Sequence, residues 1–160
     1  MKALRALFSS STREELEAKQ HYKELVTESR APTLYTDFAI PDTLDGRFES
    51  IILFLFVEQI RLEQDTPESQ KWLRLLHESF FEDMDRSLRE GGVGDTGISK
   101  RVQKMAAALY GRLSHYSDSW ENSAAFKETL KRNVYGTTAD DVSDDAVSGL
   151  ADFIITRINA

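Results

Sequence analysis

Seven consecutive apolar residues, Ile51 to Val57, are bounded on both sides by polar and turn-forming residues. Pro41-Asp42-Thr43 supplies turn and N-cap chemistry ahead of the run, so a helix is expected from about Thr43 to Gln64. A helix that is apolar around most of its circumference cannot lie on a surface; other elements must cover it. Seven residues are also far short of the ~18 to 20 that cross a bilayer. The chain therefore has to place this helix at the centre of a core and supply the elements that enclose it.

The remaining sequence supplies them with helical periodicity. A T-x-x-E capping box at Thr12 and Glu15 opens a first helix, continued by Leu16, Tyr22, Leu25 and Val26 and ended by Ala31-Pro32. Asp65-Thr66-Pro67 opens another, with proline suited to the first turn. Its apolar residues Trp72, Leu73, Leu76, Phe80, Met84 and Leu88 recur at threes and fours up to Gly91-Gly92. Ile98, Val102, Met105, Ala106, Leu109, Leu113 and Tyr116 draw a further stripe. Two shorter helices are expected near Ser123 to Tyr135 and Asp141 to Ile158, the second with Asp140, Asp141, Asp144 and Asp145 at its amino end, where carboxylates complement the dipole. Pro32 to Gly46 breaks the pattern and reads as an ordered connector held on the core by Leu34, Tyr35, Phe38 and Ile40. No period-2 strand and no repeat is evident. The expectation is an all-α, single-domain bundle of about six helices spanning residues 12–160, preceded by a flexible basic N-terminus at 1–11.

Composition narrows the function. A chain of 160 residues can bury a core without disulfides. The absence of cysteine excludes disulfides, thiolate zinc sites and iron–sulfur ligation. A formal charge of −7 argues against binding DNA or RNA over a broad surface, so any anionic partner has to meet a local basic patch. The first residues, MKALRALF, lack the core and cleavage site of a signal peptide; a frayed terminus is expected there, with contact to a membrane surface as the alternative.

GVGDTG at 92–97 spells the G-x-G-x-x-G of dinucleotide-binding loops. That loop works only between a strand and a helix, whereas the residues before Gly92 are helical. A helix–loop–helix corner is expected instead, with Gly91 or Gly92 in the left-handed position after the helix end. Lys100, Arg101 and Lys104 then fall in the opening turns of the next helix, where the dipole disfavours cations by ~0.3 to 1 kcal/mol each. Two readings offset that cost: internal pairing with Asp83, Asp85, Glu90 or Asp95 across the corner, or an external partner that reads the corner.

No catalytic constellation is present. His21, His77 and His115 match no metal-ligand spacing. Asp83 and Asp85, two apart on a helix, point about 200 degrees away from each other. Ser9-Ser10-Ser11 lacks a nucleophile elbow. No cofactor, metal or catalytic residue is expected.

Four ordered blocks carry a more specific signal: Pro41-Asp-Thr-Leu-Asp-Gly-Arg-Phe-Glu49; Phe81-Glu-Asp-Met-Asp-Arg-Ser-Leu-Arg-Glu90 running into Gly92-Val-Gly-Asp95; Lys100-Arg-Val-Gln-Lys-Met-Ala106 with Tyr110-Gly-Arg112; and Asn133-Val-Tyr-Gly-Thr137. With these the chain resembles the ubiquinol–cytochrome c chaperone family. The resemblance implies a helical, non-enzymatic chaperone that holds newly made cytochrome b before its incorporation into the bc1 complex. Mitochondrial relatives also work with a small partner protein and sit near the ribosomal tunnel exit. The chain lacks their long presequence, so a cytoplasmic protein acting at the inner face of the membrane is expected. Where the family often shows a histidine in the central apolar helix this chain has Leu53 and Phe54, so a haem-ligand role finds no support there.

The candidate partner-binding residues follow from these blocks. Tyr35 and Phe38, with Ile40, either wall a groove or pack in the core. Asp42, Asp45 and Arg47 precede and open the central helix. Asp83, Arg86 and Arg89 would rim one side of the groove and Lys100, Arg101 and Lys104 the other, with Asp85 and Asp95 as further candidates at the corner. The alternatives are a ribosome-associated adaptor without client specificity and, less simply, a nucleotide-binding enzyme built on Gly92 to Gly97.

Overall fold

The structure, a computed structural model, describes residues 12–62, 66–139 and 141–160. The expected basic terminus at 1–11, the end of the central helix at Gln64, and Asp65 and Asp140 lie outside the described residues. Among the described residues there are seven α-helices and no strand: α1 Arg13–Glu28, α2 Pro32–Thr36, α3 Leu44–Arg61, α4 Pro67–Glu90, α5 Asp95–Ser119, α6 Ser123–Leu130 and α7 Asp144–Ile158.

The helix starts follow from capping chemistry. The Thr12 hydroxyl accepts from the Glu15 amide at 3.2 Å while Glu15 accepts from the Thr12 amide at 3.0 Å, satisfying two donors that a helix start leaves orphaned. Thr43 caps α3 by accepting from the Gly46 amide at 3.1 Å. Thr66 and Ser69 cap α4 reciprocally, with Pro67 in the first turn. The last helix starts later than expected, at Asp144, where the Ser143 hydroxyl caps it by accepting from the Ala146 amide at 3.1 Å.

Helix α3 lies at the centre, in contact with α1, α4, α5 and α7. Every residue from Glu49 to Val57 is buried on it. Phe56 meets Tyr116 of α5 and Phe126 of α6 at ring separations of 5.4 and 6.2 Å, and Phe54 meets Phe153 of α7 at 6.3 Å. The apolar run is thus enclosed on all sides, as its circumference demands.

The expected connector is partly helical. Pro32 starts the one-turn α2, and the chain reverses after it through Ala39, whose φ of 54° is unusual for a residue with a Cβ. The Tyr35 hydroxyl donates to the Ser29 carbonyl at 3.1 Å, and the Tyr135 hydroxyl donates to the Phe38 carbonyl at 2.7 Å. Phe38 packs on Phe153 at 5.5 Å. These bonds lock the segment onto the core. The expected helix over 123–135 also divides: beyond Leu130 it widens into a π-helical turn, Lys131–Tyr135, followed by a 3-10 turn, Gly136–Thr138.

Two glycines are fixed by geometry. Gly92 takes φ 79° in the corner after α4, where its amide bonds the Arg89 carbonyl and the Val93 amide bonds the Leu88 carbonyl. Gly46 lies against the connector so closely that a Cβ there would sit 1.9 Å from the Pro41 carbonyl oxygen. That contact explains the glycine within the Pro41–Glu49 block.

Candidate functional site: a cation-rimmed apolar cleft

The first turns of α3, the last turns of α4 and the first half of α5 do not close on one another. They leave a cleft of about 560 Å³. Phe48, Ile51, Met84, Leu88, Met105 and Ala108 line it with apolar surface. Ile51 and Met84 form its floor, 3 % and 9 % exposed, while Leu44 stands at the rim 85 % exposed. Around the rim lie Arg30, Arg47, Arg101 and Lys104, against a single carboxylate, Asp45. Four cations and one anion gather here on a chain whose formal charge is −7.

Only one of the four cations is paired. Arg47 binds the Asp42 carboxylate at 2.8 to 2.9 Å. Arg30, Arg101 and Lys104 form no ion pair among the described residues, and neither does Lys100 beside them. The internal pairing considered for Lys100, Arg101 and Lys104 is therefore not what the structure contains. The residue that spans the corner is Arg89, which binds Asp85 at 2.7 Å and Asp95 at 2.6 Å. Hydrogen bonds donated to both carboxylates raise the Arg89 guanidinium pKa above its ordinary value.

Of the residues singled out from sequence, Asp45, Arg47, Arg101 and Lys104 line the cleft, with Asp42 one ion pair behind it. Tyr35 and Phe38 are elsewhere, packed on the core. Asp83 and Arg86 face the opposite side of α4, where they line a second depression with α1. Asp83 there accepts from the Tyr22 hydroxyl at 3.0 Å and pairs with Arg86. Burial, followed by the Asp83 charge, drives the Tyr22 hydroxyl well above its ordinary pKa. Asp83 and Asp85 point to different partners, as their two-residue spacing requires.

Sequence reasoning missed Arg30, Leu44, Phe48, Met84, Leu88 and Met105 as lining residues. Leu44, Phe48 and Ile51 stand four and three apart, and Met84 and Leu88 four apart, the spacing of any core stripe. Leu44 was the available signal, since a leucine in the first turn of a capped helix precedes the buried face.

A second polar feature lies deeper. Arg112 of α5 grips Glu49 of α3 through contacts of 3.0 to 3.2 Å from two of its nitrogens. Burial raises the Glu49 carboxyl pKa, and the Arg112 hydrogen bonds and charge oppose that rise. Asn133 and Tyr116 are buried alongside the same core. Among the described residues no group of three or more His, Cys, Asp or Glu side chains is placed to hold a metal ion. The glycine corner has a helix on each side, so no strand aims a phosphate at it. No helix among the described residues is long and apolar enough to cross a membrane.

The bundle thus carries, between α3, α4 and α5, an apolar cleft rimmed mainly by cations that have no ion pair among the described residues. The sequence profile of the ubiquinol-cytochrome C chaperone family matches residues 36–160, and the chain belongs to that family. Its fold matches the crystal structure of the Cbp3 homolog from Brucella abortus with a TM-score of 0.75 at 28 % identity, over 95 % of this chain and 84 % of that one. A search of curated proteins finds no significant match.

Proposed function

We propose that the chain binds newly made cytochrome b and assists assembly of the ubiquinol–cytochrome c reductase complex, holding its client without performing chemistry on it. The observation that carries the reading is convergence. Three separated blocks that underlie the family resemblance meet at one place: Leu44, Asp45, Arg47 and Phe48 come from the first, Met84, Ser87 and Leu88 from the second, and Arg101, Lys104 and Met105 from the third. The parts of these blocks that point inward have structural roles, Gly46 against Pro41 and Glu49 against Arg112. Those that face the gap between α3, α4 and α5 build the cleft, while Asp83 and Arg86 face α1. A client destined for a membrane exposes apolar segments while it waits, and a recess of this kind covers such segments reversibly. In this reading the chain works in the cytoplasm, peripherally at the inner face of the membrane.

The unpaired cations also suit the phosphates of ribosomal RNA, which favours a second reading as a ribosome-associated adaptor. A tagged chain recovered from its own host separates the two. Enrichment of cytochrome b in membrane eluates supports the chaperone reading. Salt-sensitive cosedimentation with ribosomes in the absence of cytochrome b supports the adaptor and overturns it.

A further inference from the structure

We propose that the occupant of the cleft between α3, α4 and α5 is an amphipathic helical segment of the client, with carboxylates flanking its apolar face. This rests on the reading that the chain holds a polypeptide, and it names the chemistry that the polypeptide must carry.

Shape argues for a helix. The recess has depth, with Ile51 and Met84 packed into the core at its base and Phe48, Leu88 and Met105 around it, so only side chains that project into it fill it. A bilayer surface meets what protrudes and would leave this floor empty. Helices inserted in grooves present about four anchors at i, i+3, i+4 and i+7, and Phe48, Ile51, Met84, Leu88 and Met105 offer an apolar bed on three sides of such a stripe.

Charge argues for carboxylates. Arg30, Arg101 and Lys104 surround the bed without an ion pair among the described residues, and Asp45 is the one anion lining it. A helix bordered by Lys or Arg would set like charges against each other across the rim, which disfavours its binding. The basic segment at the start of this chain, with Lys2 and Arg5, carries the wrong sign to occupy its own cleft. Leu44, largely bare at the rim, is placed to close over the apolar face of the incoming helix.

The test uses the full chain and two synthetic helices of about four turns. Both carry Leu at the anchor positions; one is flanked by Glu, the other by Lys. Calorimetry should show the Glu-flanked helix binding and the Lys-flanked helix binding about tenfold more weakly or not at all. Arg101→Glu with Lys104→Glu should weaken the Glu-flanked helix about tenfold or more, and Leu44→Ser severalfold, with unchanged melting curves because all three side chains are exposed. Arg132→Glu, an exposed cation in the π-helical turn away from the lining, should change binding less than about twofold. Equal binding of the two helices, or full binding by the double variant, overturns the proposal. So does flotation with phosphatidylglycerol vesicles when neither helix binds, or a concentration-dependent dimer that Leu44→Ser abolishes. Cytochrome b recovery, run in parallel, keeps the two readings apart. Recovery undiminished in the double variant rejects this cleft as the client site and leaves the assembly role standing. Absence of cytochrome b even with the unaltered chain rejects the assembly role, and the helix titrations then decide the cleft alone.

Discussion

The two sides of α4 carry similar residues and use them differently. Toward α1, Lys19 pairs with Glu82 at 2.9 Å, Arg86 with Asp83, and Lys71 with Glu14, while Tyr22 donates to Asp83. Toward α5, Arg101 and Lys104 find no carboxylate among the described residues, and Met84, Leu88 and Met105 face a recess. Charges matched within the molecule hold helices in register, and their individual contributions are ~0 to 1 kcal/mol at an exposed surface. Lys23 and Arg30 form no ion pair among the described residues on the α1 side as well, so what sets the α5 side apart is the apolar bed beside its unmatched charges, and that combination is why we propose it as the binding face.

The contrast is broken or sharpened most strongly at the limit of internal pairing, Glu49–Arg112. Arg112→Met leaves the Glu49 carboxylate buried without its guanidinium. Denaturant unfolding should register a loss of about 2 to 3 kcal/mol, less than the ~3 to 5 of a fully buried pair because the Arg112 side chain remains 29 % exposed. The pH dependence has a definite sign. Burial already raises the Glu49 pKa, and a carboxyl whose pKa rises on folding is most stabilising while protonated. That contribution is complete below the ordinary value near pH ~4.3 and is lost as pH rises through the raised one. Loss of Arg112 raises it further, so the variant should fall behind the unaltered chain more at neutral pH than near pH ~4. Adding Glu49→Leu should recover most of the stability.

Next comes Gly46→Ala, whose new methyl group would collide with the Pro41 carbonyl oxygen, a backbone atom that cannot swing aside. A loss of ~1 to 3 kcal/mol or more is expected by thermal melting. Because Gly46 lies between Asp45 and Arg47, this variant should also weaken client capture even at temperatures where the fold survives. A variant that melts normally would show that the connector is not held against α3.

Tyr22→Phe tests the paired side of α4 by itself. The hydroxyl donates to Asp83 at 3.0 Å, and its removal should cost about 1 kcal/mol of stability with no change in client recovery. The smallest effect on stability belongs to Arg101→Glu with Lys104→Glu, within about 0.5 kcal/mol of the unaltered chain, together with a large loss of client recovery. Were the two sides of α4 to respond alike, the distinction between matched and unmatched charges would have no functional content.

Much of the architecture was legible because it depends on local chemistry. The Thr12 and Glu15 box, Pro67 in a first turn, the left-handed glycine after α4 and the enclosed run Ile51–Val57 each follow from a few neighbouring residues, and each stands in the structure. What escaped depends on distant partners. The short α2 is held by Tyr35 bonding Ser29 and by Phe38 lying under Tyr135, 97 positions away, so no local pattern announces it. The π-helical turn at Lys131–Tyr135 is likewise invisible to periodicity. The family, the central helix and four of the cleft-lining residues, Asp45, Arg47, Arg101 and Lys104, could be drawn from the blocks. The apolar bed could not, because Phe48, Met84 and Met105 keep the same spacing as residues that are fully enclosed. Which stripe is left uncovered is settled by how three helices diverge, and no single helix encodes that.

Amide exchange on the client-loaded chain tests the central claim most directly, since it compares the two sides of α4 in one measurement. Slowed exchange on loading, concentrated in 44–51, 84–88 and 101–108, is the expected result. Slowing confined to α1 and the α1-facing turns of α4, with 101–108 unaffected, would contradict it.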